Sequence, residues 1–125
     1  TALEYYYNDY GVYPADDGSG HLNVCGDTYD QPCAWGDRFE DDKGTLYMAE
    51  LPADPRSGYT YYYEAHDDPN TGEPNQMYQI YAFIENTEDP YIYADGYDGT
   101  DCDSVGSVEC NYGVSSTNTT PAAGR

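Results

Sequence analysis

The first ten residues place their apolar and polar side chains at a helical period. The apolar stripe recurs at the i, i+3, i+4, i+7 spacing of an amphipathic helix and consists of Leu3, Tyr6, Tyr7 and Tyr10. Gly11 follows the stripe, where a left-handed C-cap is favoured, and Pro14 bars a return to helix. The pattern predicts a helix over residues 1–10 that packs through this stripe. Because no N-cap residue precedes it, we expect the C-terminal part of a longer helix.

Later segments alternate with a period of two, which is typical of strands. In residues 59–66 one face carries Tyr59, Tyr61, Tyr63 and Ala65. In residues 77–85 the predicted inner face consists of Tyr78, Ile80, Ala82 and Ile84. The predicted outer face of that strand consists of Met77, Gln79, Tyr81 and Glu85. A run at 91–94 predicts a third strand, so we expect a three-stranded antiparallel meander with the helix over one face, an α+β fold.

The remaining segments lack a clear period. Residues 15–43 are rich in Gly, Asp and Pro and predict a long ordered loop that Trp35 and Phe39 anchor to the core. Residues 45–50 predict one helical turn that ends before Pro52. We interpret the chain as one domain with four parts: the helix end (1–10), the helix-to-sheet loop (15–43), the sheet (59–94), and the C-terminal loop and tail (95–125).

Composition narrows the class of protein. The 125 residues include 24 Asp and Glu against four Lys and Arg, which gives a net charge of −20. This charge argues against nucleic acid and anionic membrane surfaces as partners. Seventeen tyrosines supply rings for a core whose hydroxyls stay in water, so we expect a folded domain. The sequence carries no persuasive nucleophile–base set and no phosphate-binding glycine motif, and we expect no catalytic activity.

Four cysteines lie in two pairs, each eight residues apart: Cys25, Cys33, Cys102 and Cys110. Three disulfide pairings are open to four cysteines. The local pairing, Cys25–Cys33 and Cys102–Cys110, is favoured because each bond closes a short loop that contains Gly and Asp. A four-thiolate zinc site is the alternative, but zinc ligands usually come as C-x₂₋₄-C pairs. Disulfides predict a location outside the reducing cytosol.

The segment after the third predicted strand concentrates carboxylates. Four aspartates fall within nine residues, with glycines between them: Asp95, Asp98, Asp101 and Asp103. Calcium prefers six to eight oxygen ligands in a flexible loop, so these residues predict a Ca²⁺ site. Asp95 and Asp98 are the first choices as ligands. A solvated acidic loop is the alternative, because such loops are normal in a protein this negative.

Three segments resemble type IV pilins and type II secretion pseudopilins. Residues 2–14 (ALEYYYNDYGVYP) are similar to the exit of their long N-terminal helix. Residues 51–55 (LPADP), followed by 58–59 (GY), resemble the passage that leads into the sheet of major-pseudopilin-like subunits. Residues 111–116 (NYGVSS) resemble C-terminal segments of pilin-like proteins. The resemblance implies a long N-terminal helix on a small sheet, and calcium bound in the C-terminal loop.

From this resemblance we expect a non-catalytic structural subunit of a pilus-like or pseudopilus filament. The expected partners are copies of the same chain, which contact one another through exposed tyrosines. The expected location is extracellular or at the cell surface, with membrane contact only through the start of the N-terminal helix before assembly. An acidic, tyrosine-rich adhesin or glycan-binding module is the alternative function.

Overall fold

The computed structural model describes residues 2–86, 88–103 and 108–121. Within these residues the chain forms one short helix followed by five short strands. The helix α1 spans Ala2–Tyr10, and the strands are β1 (Phe39–Glu40), β2 (Leu46–Met48), β3 (Tyr62–His66), β4 (Met77–Ala82) and β5 (Tyr112–Ser115). The fold is α+β, as the apolar periods predicted. The helix itself comprises nine residues.

The predicted end of the helix is confirmed. Gly11 adopts a φ of 72°, in the left-handed region, and its N–H donates a hydrogen bond of 2.7 Å to the carbonyl of Tyr7. This geometry satisfies one of the last helical carbonyls and turns the chain away from the helix axis. Tyr13 and Pro14 follow as buried residues, so the chain enters the core directly after the helix.

Strands β3, β4 and β5 form a three-stranded antiparallel meander in that order. Tyr63 lies opposite Ile80, and Tyr81 lies opposite Gly113. The strands β3 and β4 fall inside the predicted ranges 59–66 and 77–85.

The predicted third strand at 91–94 is wrong. This segment forms turns, because the side chain of Asp89 accepts a hydrogen bond from the backbone N–H of Tyr91 at 2.9 Å. The carbonyl of Tyr93 likewise accepts from Gly96 at 3.0 Å. Local bonds of this kind compete with a strand ladder. The third place in the sheet belongs to β5 instead.

The predicted helical turn at 45–50 is also wrong, since β2 lies there and pairs with β1 as a second, two-stranded sheet. The side chain of Asp41 organises the connection between the two strands. Its Oδ1 atom accepts hydrogen bonds from the N–H groups of Lys43 at 3.0 Å and Thr45 at 2.7 Å. Gly44 takes a φ of 83°. This side-chain-stabilised turn favours a hairpin over helix.

The three-stranded sheet is buried on both faces, which corrects the prediction of a single apolar face. On one face Tyr63 belongs to a cluster that we call the first core, together with Leu22, Val24, Cys33, Phe39 and Leu51. On the other face Tyr62 and Tyr81 pack with Cys102 and Cys110 and form the second core. Gln79 and Tyr81, which were predicted to point outward, are both 0% exposed. The C-terminal segment covers this second face.

The helix-to-sheet loop closes the free edge of β3. The N–H of Tyr63 donates to the carbonyl of Gly20 at 2.8 Å, and the N–H of Ala65 donates to the carboxylate of Asp16 at 2.8 Å. Phe39 is fully buried and Trp35 is partly buried, so both pack against the first core as the sequence predicted. The loop therefore protects an edge that would otherwise be open to pairing.

Both predicted disulfides are present, Cys25–Cys33 and Cys102–Cys110, with Cα–Cα distances of 5.1 and 5.2 Å. They are compatible with an oxidising compartment. Among the described residues, no helix has the length and apolar character that a membrane crossing needs.

Candidate functional site

The inner face of α1 meets the first core through two of the four stripe residues, Leu3 and Tyr6. The ring of Tyr6 lies 5.6 Å from that of Phe39 and 5.3 Å from that of Tyr47, centroid to centroid. Burial raises the pKa of the Tyr6 hydroxyl, and the nearby carboxylate of Asp41 adds to this effect. Tyr6 is therefore the ring that joins the helix to the two-stranded sheet.

The other two stripe residues, Tyr7 and Tyr10, attach the helix to loops through their hydroxyls. Tyr7 donates a hydrogen bond of 2.7 Å to Oε1 of Gln76 in the β3–β4 loop. Tyr10 donates one of 2.6 Å to the carboxylate of Asp41. The stripe predicted to pack on one surface thus reaches a core, a hairpin loop and a turn.

A reciprocal pair of hydrogen bonds fixes the C-terminal half of α1 beside the β1–β2 hairpin. Tyr10 of the helix donates to Asp41 of the hairpin, and Tyr47 of the hairpin donates to Asp9 of the helix at 2.6 Å. The bond from Tyr10 holds the pKa of Asp41 below its ordinary value. Burial, followed by the bond to Asp9, raises the pKa of the Tyr47 hydroxyl. Charge-assisted bonds of this kind are stronger than neutral ones.

An apolar groove of about 270 Å³ opens at the N-terminal end of α1. Ala2 and Leu3 of the helix contribute to its lining. The sheet contributes Tyr78, Ile80 and Val114. Further lining comes from Leu22, Trp35, Phe39, Met48, Leu51 and Pro52. We call this surface the helix-end groove.

Several side chains in the helix-end groove are incompletely covered. Val114 is 45% exposed and Met48 is 36% exposed. Nε1 of Trp35 is buried and has no hydrogen-bond partner among the described residues, although its ring packs edge-on against Tyr61 at 5.4 Å. Sequence analysis placed neither Val114 nor Met48 in a strand, because strands of three and four residues are too short to show a clear period.

The four predicted calcium ligands lie around the second disulfide without forming a metal-binding group. Within the described ranges, no three His, Cys, Asp or Glu side chains are arranged to hold a metal ion. Backbone bridges join Asp101 to Glu109 and Asp103 to Tyr59. Asp95 and Asp98 are exposed in the turns that follow residue 94. The calcium prediction stays a prediction.

Glu109 is an acidic residue of this loop that sequence analysis missed. Desolvation and a hydrogen bond with the carboxyl of Asp98 raise the pKa of Glu109, and the charge of Asp101 adds to the effect. Two carboxyl groups in such contact repel each other when both are ionised, and a cation between them would relieve that repulsion. The sequence did not show that Glu109 and Asp98 are close, because Glu109 follows Asp98 by eleven residues and belongs to the other arm of the disulfide loop.

Three large rings are prominent on the surface. Tyr91 is 78% exposed, Tyr5 is 64% exposed and Tyr93 is 48% exposed. Tyr93 also packs against Tyr97 at 5.0 Å, and Tyr97 packs against the buried ring of Tyr81 at 4.8 Å. Exposed rings connected to a core in this way suit a protein–protein contact.

A wide, open cleft of about 690 Å³ lies between the β3–β4 loop and the C-terminal segment. His66, Asp67, Met77 and residues 117–120 contribute to its lining. Nε2 of His66 lies 3.1 Å from Oε1 of Gln79, which orients the imidazole. The lining offers hydroxyl, amide and carboxylate groups at the surface.

Comparison of the chain with protein-family models, curated proteins and solved structures found no match. The pilin-like resemblance therefore depends on the three segments that carry it. Among the surfaces described above, the helix-end groove has the most apolar lining, and it takes lining residues from all three of those segments: Ala2 and Leu3, Leu51 and Pro52, and Val114.

Proposed function

We propose that this chain is the globular domain of a structural subunit in an extracellular pilus-like or pseudopilus filament, without a catalytic role. The observation that supports this proposal most is the helix-end groove. Its lining is apolar, and the first residues of α1 form part of it. An apolar helical segment continuing α1 upstream of Ala2 would cover Val114 and Ile80. Burial of such surface stabilises by about 25 cal/mol per Å².

In this proposal the two ends of the helix have different tasks. The C-terminal half holds the domain to the helix through Tyr6 and the reciprocal bonds of Tyr10 and Tyr47. The part of the helix upstream of Ala2 packs in the filament core against the helices of other subunits. The sheets form the outer shell. The two disulfides suit the oxidising exterior.

Charge sets a condition on such an assembly. Each domain carries −20, and two of its few cations are already paired: Arg38 with Glu40 at 3.0 Å, and Arg56 with Asp54 at 2.8 Å. Neighbouring subunits would repel one another at low ionic strength. We therefore expect filament stability to rise with salt or divalent cations.

Electron microscopy of the native protein tests the proposal, with Val114→Asp as the informative variant. This substitution places a charge at a 45% exposed position of the groove, so the isolated domain should keep its fold while filaments are lost. Thr117→Asp, at an exposed position outside the groove, is the matched control and should leave the filaments intact. Native protein that stays monomeric, or filaments that tolerate the Val114 variant, would contradict the proposal.

The open cleft beside His66 favours a second candidate, a glycan-binding adhesin. Hydroxyl groups such as that of Thr117 match the hydrogen-bonding needs of sugar hydroxyls. Saturable binding of an oligosaccharide by a monomeric protein would favour this function. Loss of that binding in Thr117→Val, with no effect of Val114→Asp, would locate it in the cleft.

A further inference from the structure

A smaller cavity of about 220 Å³ lies beside the C-terminal half of α1. Three tyrosine rings and three carboxylates contribute to its lining: Tyr6, Tyr10, Tyr29, Glu40, Asp41 and Asp42. We call this cavity the tyrosine cage. It is distinct from the helix-end groove, with which it shares no aromatic residue.

Two of the three rings of the cage pack against each other, and the third does not. Tyr6 and Tyr10 are stacked at 4.6 Å with an interplanar angle of 30°. Tyr29, at the surface of the cage, is 36% exposed and has a φ of 57°. In the described part of the chain, the side chain of Tyr29 makes no hydrogen bond and no ring contact. A large ring is thus presented at a cavity without an internal packing role.

The carboxylates give the cage a strongly negative field, and one of them is uncommitted. The side chain of Asp41 is occupied by Tyr10 and by two backbone N–H groups. Glu40 pairs with Arg38 at 3.0 Å. Asp42 is exposed, and within the described residues its carboxylate accepts no hydrogen bond. Its negative charge is available to a ligand.

The chain itself places a cation near one of these rings. Nζ of Lys43 lies 5.9 Å from the ring centroid of Tyr10, within the range of a cation–π interaction. An ammonium group is attracted by the negative face of an aromatic ring and by carboxylates at the same time. An anion would be repelled both by the ring faces and by the carboxylates.

We propose that the tyrosine cage binds an alkylammonium group, of the kind that a lysine side chain or a free polyamine carries. The ring faces of Tyr10 and Tyr29 would contact the alkyl carbons and the charge, and Asp42 would supply the opposite charge. A domain with a net charge of −20 and only four basic residues also attracts cations from solution. The proposal does not depend on filament formation.

The proposal is tested by titrating the isolated domain with tetramethylammonium chloride and recording the NMR chemical shifts of the aromatic rings. The ionic strength is held constant, and sodium chloride is the reference salt. We expect saturable shifts of the Tyr10 and Tyr29 rings that sodium does not produce. Tyr29→Leu should weaken binding about two- to fivefold, the effect of one cation–π contact at an exposed site. Tyr29→Phe keeps the ring face and should bind like the wild type.

Tyr91→Leu is the matched control, because Tyr91 is 78% exposed and lies outside the cage. Shifts that do not saturate, equal binding in Tyr29→Leu, or an equal loss in Tyr91→Leu would each overturn the proposal. Titrations with N-acetyl-lysine methylamide and with spermidine distinguish the two sources of the ammonium group. Preferential binding of the lysine derivative indicates a protein partner, and preferential binding of spermidine indicates a free polyamine.

Discussion

The backbone of Gly20 lies directly against the ring of Tyr62. A Cβ atom at Gly20 would come within 2.8 Å of the Cε2 atom of Tyr62, a distance that real Cβ atoms do not show. Gly20 has a φ of 94° and its carbonyl accepts the hydrogen bond from Tyr63. One glycine therefore lets the long loop reach the edge of β3 and the ring beside it.

Gly20→Ala should destabilise the domain by about 2–4 kcal/mol, because it adds both backbone strain and a steric clash. Gly18→Ala is the matched control. Gly18 has a φ of 79° and nothing within 4 Å of its Cβ position, so only the backbone strain applies. Urea denaturation of both variants measures the difference. Equal losses of stability would show that the contact with Tyr62 has no energetic role.

Tyr63→Phe should lower the free energy of unfolding by about 1–3 kcal/mol, the cost of a buried acceptor left without a partner. Tyr63 is 0% exposed, and its hydroxyl donates a hydrogen bond of 2.7 Å to the carbonyl of Pro14. Tyr91→Phe, on the surface, should change stability by less than about 0.5 kcal/mol. If the two variants unfold at the same urea concentration, the bond to Pro14 is not a stabilising one.

Replacement of Cys102 and Cys110 by Ala should cost about 2–3 kcal/mol from loop closure alone. Both cysteines are 0% exposed in the second core, so the loss of their sulfur contacts adds to this value. The same replacement of Cys25 and Cys33 opens a loop of equal length, but Cys25 is only partly buried. Thermal melts should therefore rank the second disulfide as the larger contributor. The reverse ranking would contradict the packing role of Cys102–Cys110.

The bond between Tyr10 and Asp41 predicts a loss of stability in acid. The folded-state pKa of Asp41 is below its value in the unfolded chain, chiefly because Tyr10 donates to it. Its contribution is therefore complete above the unfolded pKa of about 3.9 and is lost as the pH falls through the folded-state value. In Tyr10→Phe, an NMR titration should show the Asp41 midpoint nearer 3.9. An unchanged midpoint would assign the shift to the backbone donors instead.

The calcium prediction is tested by thermal melts with calcium, with magnesium and with excess chelator. We expect a higher midpoint with calcium only, because the ion would replace the repulsion between Asp98 and Glu109 by attraction. Glu109→Gln should remove most of this increase. Equal midpoints in all three solutions would leave the alternative, a solvated acidic loop.

Local periodicity predicted the helix and strands β3 and β4, since each of these elements spans at least five residues and shows a regular hydrophobic period. Periodicity failed for β5, because Gly113 and Ser115 carry no large side chain that could reveal the alternation. It also misassigned residues 91–94, where aromatic composition resembles a strand but the carboxylate of Asp89 imposes a turn.

The second buried face could not be predicted from β4 alone. Alternation shows that Tyr78 and Gln79 point to opposite faces, but whether a face is covered depends on segments far along the chain. Gln79 is buried because Thr120 accepts a hydrogen bond from its amide at 2.6 Å and Tyr81 donates to its carbonyl oxygen at 2.8 Å. The residues that line the tyrosine cage come from three separate segments, so no single stretch of sequence could predict the cage.

The position of β5 in the chain sets an order of events during synthesis. When the chain has emerged as far as residue 100, β4 has β3 on one side and an unpaired row of backbone groups on the other. Such a row can capture a strand of a neighbouring chain. The stretch between Cys102 and Ser115 carries both the second disulfide and the strand that covers the row. Nascent chains are consequently most vulnerable to aggregation just before that stretch is delivered and oxidised.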